Sequence, residues 1–470
     1  MSLRFPRGGR AFCAGALLVA FASLPVFGIE PGAEFCRVVC LGDSITHGGY
    51  YEYYLQLFEC LRHPGSAKRY FNAGYSGGTL ETGLANLAYE IDRVKPDCAF
   101  VMFGMNDVGW TQYGTNDVLS AQERAAADRR ESDYRARWTK LIAAFRSQGV
   151  TNIVLVTPTP YDEYSTSVKA VRRRQVTEHG LRRLAQAVRD VARDERLPLV
   201  EVHEPLTQAV RQHPEEKWCG ADRVHPGRFG HLFMAWQYLK AMGADKPVAE
   251  IALSSDGAVE RCVNARVENV SATSERLSFD YEPAALPLPR LTEYDRLRAL
   301  YPAIEDLNRE RLAVRGLAAG NWRLMADGRE IGVYSARQLA DGVNLAACDT
   351  PNRRVAEKAG AAMVALHDFD VPRRYRACAR LKYLARGADL DDRESVRAVA
   401  DRILAELREK KSRWLAMSEN TARLMTEAAG KGAEIAAEEE RLYRQIEAVR
   451  PVRCRMEVRR DLGEKTKGKI

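Results

Sequence analysis

Between residues 35 and 245 the sequence alternates short apolar runs with longer amphipathic stretches. The apolar runs cover residues 35–41, 70–72, 98–103, 152–157 and 197–202. The amphipathic stretches cover residues 51–61, 83–94, 121–146, 174–196 and 228–242. Strands that alternate with helices in this way form a parallel sheet with helices on both faces. We therefore predict an α/β domain over residues 29–247, with its ligand site at the carboxyl ends of the strands.

The remainder of the 470-residue chain is long enough for further structural units. Strand-like runs occupy residues 251–253, 265–270, 276–281, 322–325 and 330–334. The last two runs flank Asp327-Gly328, a dipeptide that is favoured in two-residue hairpin turns. Residues 294–311 have the periodicity of an amphipathic helix. These patterns predict a small β-rich or mixed accessory unit over residues 248–350.

Residues 351–452 are predicted to be helical. Asp391 and Glu394 have the spacing of a capping box. The apolar residues that follow recur on one helical face, at Val396, Val399, Ile403, Leu404 and Leu407. Such a stripe either packs on its own protein or binds a protein partner. Residues 453–470 contain seven Lys or Arg against three Asp or Glu, and we predict that they form a solvated basic tail.

The first 28 residues have the pattern of a secretory signal peptide. Three arginines among the first ten residues precede a largely apolar run over residues 11–27. We predict cleavage before Ile29 and a secreted or periplasmic protein, with an uncleaved membrane anchor as the alternative. No later stretch of the sequence is long and apolar enough to be a stable membrane span.

The charge balance argues against nucleic acid as a partner. The chain has 71 Lys or Arg and 63 Asp or Glu, and most of the excess lies in the leader and in the basic tail. A nucleic-acid binder needs a basic face on its folded surface, whereas the body of this chain is nearly neutral. The cysteines beyond the leader show no paired C-x-x-C spacing, so we predict no zinc site and no other cofactor.

Four polar segments lie where predicted strands end or where the last helix of the α/β domain begins. They are residues 42–46 (GDSIT), 72–79 (NAGYSGGT), 104–107 (GMND) and 222–226 (DRVHP). The serine of the first comes at the turn into a helix, whose N-terminus stabilises negative charge. The second and third supply backbone and amide donors for an oxyanion, and the fourth places an acid and a base three residues apart. These are the groups that acyl transfer requires.

In this order the four segments resemble the signature blocks of the SGNH, or GDSL-type, serine hydrolase family, over roughly residues 35–245. The resemblance implies a flavodoxin-like three-layer α/β/α sandwich with a five-stranded parallel sheet. It implies that Ser44 is the nucleophile and that Gly77 and Asn106 donate to the oxyanion beside the Ser44 N–H. It also implies that His225 is the base and that Asp222 orients it.

Two questions about this site remain open from the sequence. Residues 74–78 (GYSGG) fit the G-x-S-x-G elbow of α/β-hydrolases, which would make Ser76 the nucleophile. That fold places several strands before its elbow, whereas here only one predicted strand precedes the strand that leads into residues 74–78. Asp222 is either the partner of the base or an acid with a structural role only.

The predicted function is an exported serine esterase that removes short acyl groups, such as acetyl, from carbohydrate. Small-molecule or polysaccharide esters are the expected substrates, and Trp322 and Tyr334 of the hairpin either stack on sugar rings or belong to a core. The same site residues would serve a lipase, a lysophospholipase, a thioesterase or an O-acyltransferase. A non-enzymatic alternative is a carbohydrate-binding or scaffold protein whose hydrolase domain is catalytically inactive.

Overall fold

The computed structural model describes residues 35–109, 119–167, 174–244 and 246–462. The signal peptide predicted for residues 1–28 lies outside the described residues, so its cleavage stays a prediction. Within the described ranges, no helix combines the length and the apolar character that a membrane span needs.

A five-stranded parallel sheet forms the centre of the N-terminal half. Its strands are β1 (Arg37–Gly42), β2 (Arg69–Gly74), β3 (Cys98–Met102), β4 (Asn152–Val156) and β5 (Leu199–Val200), in the spatial order β2-β1-β3-β4-β5. Every residue of β3 is buried, as expected for a strand that is covered on both faces. Gly42 at the end of β1 pairs with Gly74 of β2 and with Met102 of β3. Three strand ends therefore meet at one edge of the sheet.

Helices cover this sheet, and the predicted three-layer α/β/α sandwich is confirmed. They are α1 (Ser44–His47), α2 (Tyr51–Arg62), α3 (Leu80–Val94), α4 (Ala121–Ser147), α5 (Arg174–Asp194), α6 (His203–Gln212) and α7 (Arg228–Ala241). Helix α4 packs between α3 and α5, and α2 packs against α7. Ser120 and Glu123 form a capping box that starts α4.

After residue 248 the chain folds into two small sheets. Their strands are β6 (Ala249–Ser254), β7 (Val259–Val263), β8 (Ala265–Thr273), β9 (Arg276–Pro283), β10 (Glu310–Arg315), β11 (Asn321–Ala326), β12 (Arg329–Ser335), β13 (Val343–Asn344) and, much later in the sequence, β14 (Cys454–Arg460). One sheet has the order β13-β10-β6-β7 and the other β12-β11-β14-β9-β8. The two sheets share an apolar cluster that is separate from the core of the α/β domain.

The predicted hairpin is confirmed at Asp327-Gly328, which joins β11 to β12. Both residues have positive φ, 48° and 78°, as a type I′ turn requires. Trp322 on this hairpin belongs to the core: it is 1% exposed, and its Nε1 donates to the carbonyl oxygen of Ala318. Its ring is therefore not available to stack on a sugar.

The helix predicted for residues 294–311 is wrong in its second half. Helix α8 (Thr292–Leu300) ends before Pro302, and a 3-10 helix (Pro302–Asn308) follows it. Proline has no N–H to continue an α-helix, and its ring clashes with the preceding turn. Arg311 lies in strand β10. A further short helix, α9 (Ala336–Asp341), begins at a capping box formed by Ser335 and Gln338.

The prediction of residues 453–470 as a solvated basic tail is wrong for residues 454–460. They form β14, which pairs antiparallel with β11 on one side and with β9 on the other. Cys454, Met456 and Val458 alternate with charged residues and are at most 3% exposed. This period of two is typical of a half-buried strand, but it is masked in the sequence by the many basic residues between the apolar ones.

The helical region consists of α10 (Pro351–Leu384), α11 (Arg393–Glu409), α12 (Leu415–Ala428) and α13 (Gly432–Glu447). Helix α10 packs against α2 and β2 of the α/β domain, and α13 packs against α10. The apolar stripe of α11 is buried against α12. The N-cap of α11 is Asp392, whose side chain accepts the Glu394 N–H, and not Asp391, because the helix begins at Arg393. The N–H of Asp391 donates to Asp389 in the preceding turn.

Candidate active site

Ser44 lies at the carboxyl edge of the sheet, directly after β1. It is the first residue of α1, so its N–H has no acceptor within that helix. Asp43 is the N-cap, and its Oδ1 accepts the Ile45 N–H at 2.9 Å. A side chain at Gly42 would collide with Thr46, so the turn from strand to helix requires glycine there.

The acid and the base reach Ser44 from the segment before α7. His225 Nε2 lies 2.8 Å from Ser44 Oγ, and His225 Nδ1 lies 2.6 Å from Asp222 Oδ2. The other carboxylate oxygen of Asp222 accepts the backbone N–H groups of Val224 and His225, at 3.0 and 3.1 Å. Asp222 therefore holds both the imidazole and the turn that carries it.

The contact between Asp222 and His225 changes the pKa of both groups. The hydrogen bond that His225 donates to Asp222 raises the pKa of His225 above its usual value, although burial opposes the change. Burial acts to raise the pKa of Asp222, but the hydrogen bonds from His225 and Val224 outweigh it and hold that pKa well below its usual range. At neutral pH Asp222 is a carboxylate, and His225 is a stronger base than a free imidazole.

Gly77 and Asn106 lie on the loops that follow β2 and β3. Gly77 has a φ of 73°, a left-handed conformation that favours glycine, and a Cβ built there meets no atom within 4 Å. Asn106 Nδ2 donates one hydrogen bond to the carbonyl oxygen of Gly78 at 2.9 Å, which leaves its second amide proton for another acceptor. The N–H of the neighbouring Met105 donates to Asp43, so the loop of Asn106 lies beside the turn that carries Ser44.

Ser76, the alternative nucleophile, does not contact the base. Both ring nitrogens of His225 are occupied, by Ser44 and by Asp222. Ser76 is exposed, and its N–H points to the sulfur of Cys378 at 3.3 Å. The geometry therefore favours Ser44 as the nucleophile.

Residues 40–232 match the model of the GDSL-like lipase/acylhydrolase family. This segment is a GDSL-like acylhydrolase domain. It contains all five of the predicted site residues, which are Ser44, Gly77, Asn106, Asp222 and His225. The match identifies the enzyme class of this domain as a carboxylic ester hydrolase.

Two similar proteins extend this comparison. An acetylxylan esterase from Geobacillus stearothermophilus is 28% identical over 225 residues, which are 44% of this chain and 94% of the relative. A solved structure of a gut microbial diltiazem-metabolizing enzyme is similar over 92% of this chain and 99% of its own, with 25% identity and a TM-score of 0.81. The first likeness covers less than half of this chain, whereas the second covers 92% of it and so takes in most of the accessory unit and the helical region.

Three buried residues support the site of the GDSL-like domain without a role that could be predicted, although two of them, Asn72 and Arg223, lie in the polar segments 72–79 and 222–226. Asn72 ties β2 to α1, because its Nδ2 donates to the carbonyl oxygen of Thr46 at 2.6 Å and its Oδ1 accepts the Gly74 N–H at 2.9 Å. A polar residue inside an apolar strand was the available signal for Asn72. The other two, Arg223 and Arg374, gave no local signal, because their partners are distant in the sequence.

Arg223 anchors the turn between the acid and the base. Its side chain is 1% exposed, and its guanidinium donates to the carbonyl oxygens of Asp162 and Ser165, at 2.8 and 3.0 Å. Its backbone has a φ of 63°, which is uncommon for a residue with a side chain. These contacts hold the turn so that Asp222 and His225 face the same side.

A cavity of about 300 Å³ lies where the GDSL-like domain, the accessory unit and α10 meet. Its lining includes Tyr50, Tyr53, Tyr54, Arg228, Arg290 and His367. The Tyr50 ring stacks on His367 with a centroid distance of 4.2 Å, and the Arg228 guanidinium lies 5.0 Å from the centre of the Tyr50 ring. Arg228 is the first residue of α7, three residues after His225 in the sequence.

Proposed function

We propose that the protein is an exported serine esterase that removes short acyl groups, above all acetyl, from a carbohydrate carrier. The observation that carries this proposal is the chain of hydrogen bonds from Ser44 through His225 to Asp222, at 2.8 and 2.6 Å. At such distances a base can take the proton of a serine hydroxyl, and an acid can hold the base in the required tautomer. The predicted leader over residues 1–28 supports export.

In acylation, His225 Nε2 takes the proton from Ser44 Oγ while Oγ attacks the ester carbonyl carbon. Asp222 stabilises the imidazolium that forms, and the imidazolium gives its proton to the alcohol that leaves. In the second step His225 takes a proton from water, whose oxygen attacks the acyl carbon. The bond to Ser44 Oγ then breaks, Oγ takes the proton back, and the acid is released.

Three donors are assigned to the oxyanion of the tetrahedral intermediates: the N–H of Ser44, the N–H of Gly77 and the free amide proton of Asn106. The bond from Asn106 to the Gly78 carbonyl oxygen fixes the orientation of the amide. Donors that are oriented before the reaction need no reorganisation when charge develops, and each typically contributes about 10²-fold or more to kcat.

Two features support a hydrophilic carrier. The side chains of His225 and Asp222 are 46% and 52% exposed, so the site is open enough for a substituent on a polymer or oligosaccharide. The cavity that Arg228 helps to line combines tyrosine rings with charged side chains, which suits a ring with several hydroxyl groups. The likeness to an acetylxylan esterase supports the same class of substrate.

The carrier is tested by comparing acetylated xylo-oligosaccharides, p-nitrophenyl acetate and long-chain p-nitrophenyl esters as substrates. We expect turnover of the acetyl esters and weak turnover of the long-chain esters. Tyr54→Ala in the cavity should raise KM for the oligosaccharide by about tenfold, which corresponds to ~1.4 kcal/mol of binding. It should leave the KM for p-nitrophenyl acetate unchanged, because this ester has no carrier sugar.

A half-buried tyrosine outside the cavity, Tyr89 on α3, provides the matched control as Tyr89→Ala. Preference for long-chain esters would instead indicate a lipase, and transfer of acetyl to an added sugar would indicate an acyltransferase. A folded protein that hydrolyses none of these esters would contradict the proposal.

The pH profile tests the role of Asp222. Protonated His225 cannot accept the Ser44 proton, so kcat/KM should fall at acid pH, with an apparent pKa above the value of about 6.5 that is usual for histidine. Asp222→Asn removes the group that raises this pKa, so the acid limb should move to lower pH and kcat should fall by more than about tenfold. If the limb does not move in the folded variant, Asp222 has a structural role only.

A further inference from the structure

The loop that carries Gly77 is held by a helix from outside the GDSL-like domain. Arg374 of α10 donates from Nε and Nη2 to the carbonyl oxygen of Gly74, at 3.1 and 2.7 Å. One helical turn later, Cys378 Sγ accepts the N–H of Ser76 at 3.3 Å. Both contacts therefore lie within three residues of the Gly77 N–H.

Arg374 is locked in place by a buried ion pair. Its Nη1 donates to Glu90 Oε1 on α3 at 2.8 Å, and the two side chains are 0% and 1% exposed. The hydroxyl of Tyr75, which belongs to the same loop, donates to the same Glu90 oxygen at 2.6 Å. The Tyr75 ring centre lies 4.9 Å from the guanidinium carbon. One planar guanidinium thus connects α10, α3, the last residue of β2 (Gly74) and the loop residue Tyr75.

The loop needs such support because its tip makes few contacts of its own. Ser76 and Gly77 are exposed, and Gly77 has no side chain to pack. An oxyanion donor contributes to catalysis only if its N–H already points at the position where charge develops. A displacement of about 1 Å in a group that positions the reacting atoms can lower the rate by about 10²-fold.

We propose that Arg374 is a positioning residue for ester hydrolysis, which orients the Gly77 N–H through Gly74 and Tyr75. The proposal rests on the function proposed above, in which Gly77 is an oxyanion donor. In this proposal α10 helps to position an oxyanion donor of the active site, although the helix lies outside the GDSL-like domain in the sequence.

The adjacent arginine gives a matched control. Arg373 is also buried on α10, but it pairs with Asp370 and lies 3.6 Å from Glu439. Arg373→Met therefore removes a buried, paired guanidinium from the same helix without removing the bond to Gly74. Comparison of full-length Arg374→Met and Arg373→Met separates the loss of positioning from the general loss of a buried ion pair.

The measurements are kcat and KM for p-nitrophenyl acetate, with thermal unfolding of each variant. For Arg374→Met we expect kcat to fall by about 10 to 100-fold with KM unchanged within about threefold, because an oxyanion donor acts in the transition state. For Arg373→Met we expect kcat within about threefold of the wild type. Equal kcat in the two variants, or an Arg374 effect on KM alone, would overturn the proposal.

If Arg374→Met does not fold, the positioning role of Arg374 is tested by the kcat values of Arg374→Lys and Cys378→Ala. Lysine keeps a charge beside Glu90 but cannot donate two bonds to the Gly74 carbonyl oxygen from one guanidinium. Alanine at position 378 removes the acceptor of the Ser76 N–H, together with the sulfur contacts to His47 Nδ1 at 3.5 Å and to the Gly74 carbonyl oxygen at 4.0 Å. Both should lower kcat in the folded protein, and normal kcat in both would overturn the proposal. Ser44→Ala is measured in the same series to distinguish the two proposals. Turnover by Ser44→Ala would contradict the serine mechanism. An inactive Ser44→Ala together with normal kcat in the Arg374 variants would contradict only the positioning role of Arg374.

Discussion

Replacement of Ser44 by alanine is expected to lower the hydrolysis of p-nitrophenyl acetate by at least about 10⁴-fold. The substitution removes the hydroxyl that lies 2.8 Å from His225 Nε2, and water is then left as the only nucleophile. The fold should not change, because the cap of α1 is Asp43 and not Ser44. Alanine is also well tolerated as the first residue of a helix. Steady-state rates at matched protein concentration measure the loss of turnover, and circular dichroism tests whether the fold is unchanged.

Ser76→Ala is the paired variant for this experiment. Its side chain is exposed and the base is engaged elsewhere, so kcat should stay within about threefold of the wild type. A loss of turnover in Ser76→Ala with normal turnover in Ser44→Ala would reverse the assignment of the nucleophile. Equal activity of both variants and the wild type would show that another site hydrolyses the ester.

Deletion of the chain after Val452 is expected to unfold the accessory unit. It removes β14 from the middle of a five-stranded sheet, where Cys454, Met456 and Val458 are buried. At roughly 1.5 to 3 kcal/mol for each buried side chain, the loss is about 5 to 9 kcal/mol before the strand hydrogen bonds are counted. This is comparable to the whole free energy of unfolding of a typical domain, about 5 to 15 kcal/mol.

Denaturant unfolding and limited proteolysis between residues 248 and 350 measure this effect. A chain that ends at Leu462 keeps β14 and provides the control, since both truncations shorten the same terminus. An unfolding midpoint of the shorter chain equal to that of the control would show that β14 adds little to the stability of the unit.

The catalytic half could be predicted because its signals are local. Ser44 follows an apolar strand, and Asp222 and His225 are three residues apart in a motif that precedes a helix. In a parallel sheet all strands end at the same edge, so residues from distant motifs can be placed together without knowledge of the intervening structure. The hairpin turn at Asp327-Gly328 was predictable for the same reason, because the turn chemistry lies in two residues.

The features that were missed depend on partners that are distant in the sequence. Arg374 is about 300 residues from Gly74, and nothing in the sequence around it distinguishes it from Arg373. Strand β14 has a clear alternation of apolar and charged residues, but seven residues with three arginines are more easily interpreted as a solvated end. Their roles appear only when the tertiary partners are known, and tertiary contacts override local preference.

The position of β14 between β9 and β11 also has a consequence for the synthesis of the protein. Strands β8 and β9 and the hairpin of β11 and β12 leave the ribosome as separate pieces, and five α-helices, α9 to α13, are made before β14 joins them. At about 5 to 20 residues per second this interval lasts on the order of ten seconds. During that time the edges of β9 and β11 are unpaired, and exposed strand edges invite pairing with other chains. The nascent chain is therefore prone to aggregation until β14 pairs with β9 and β11.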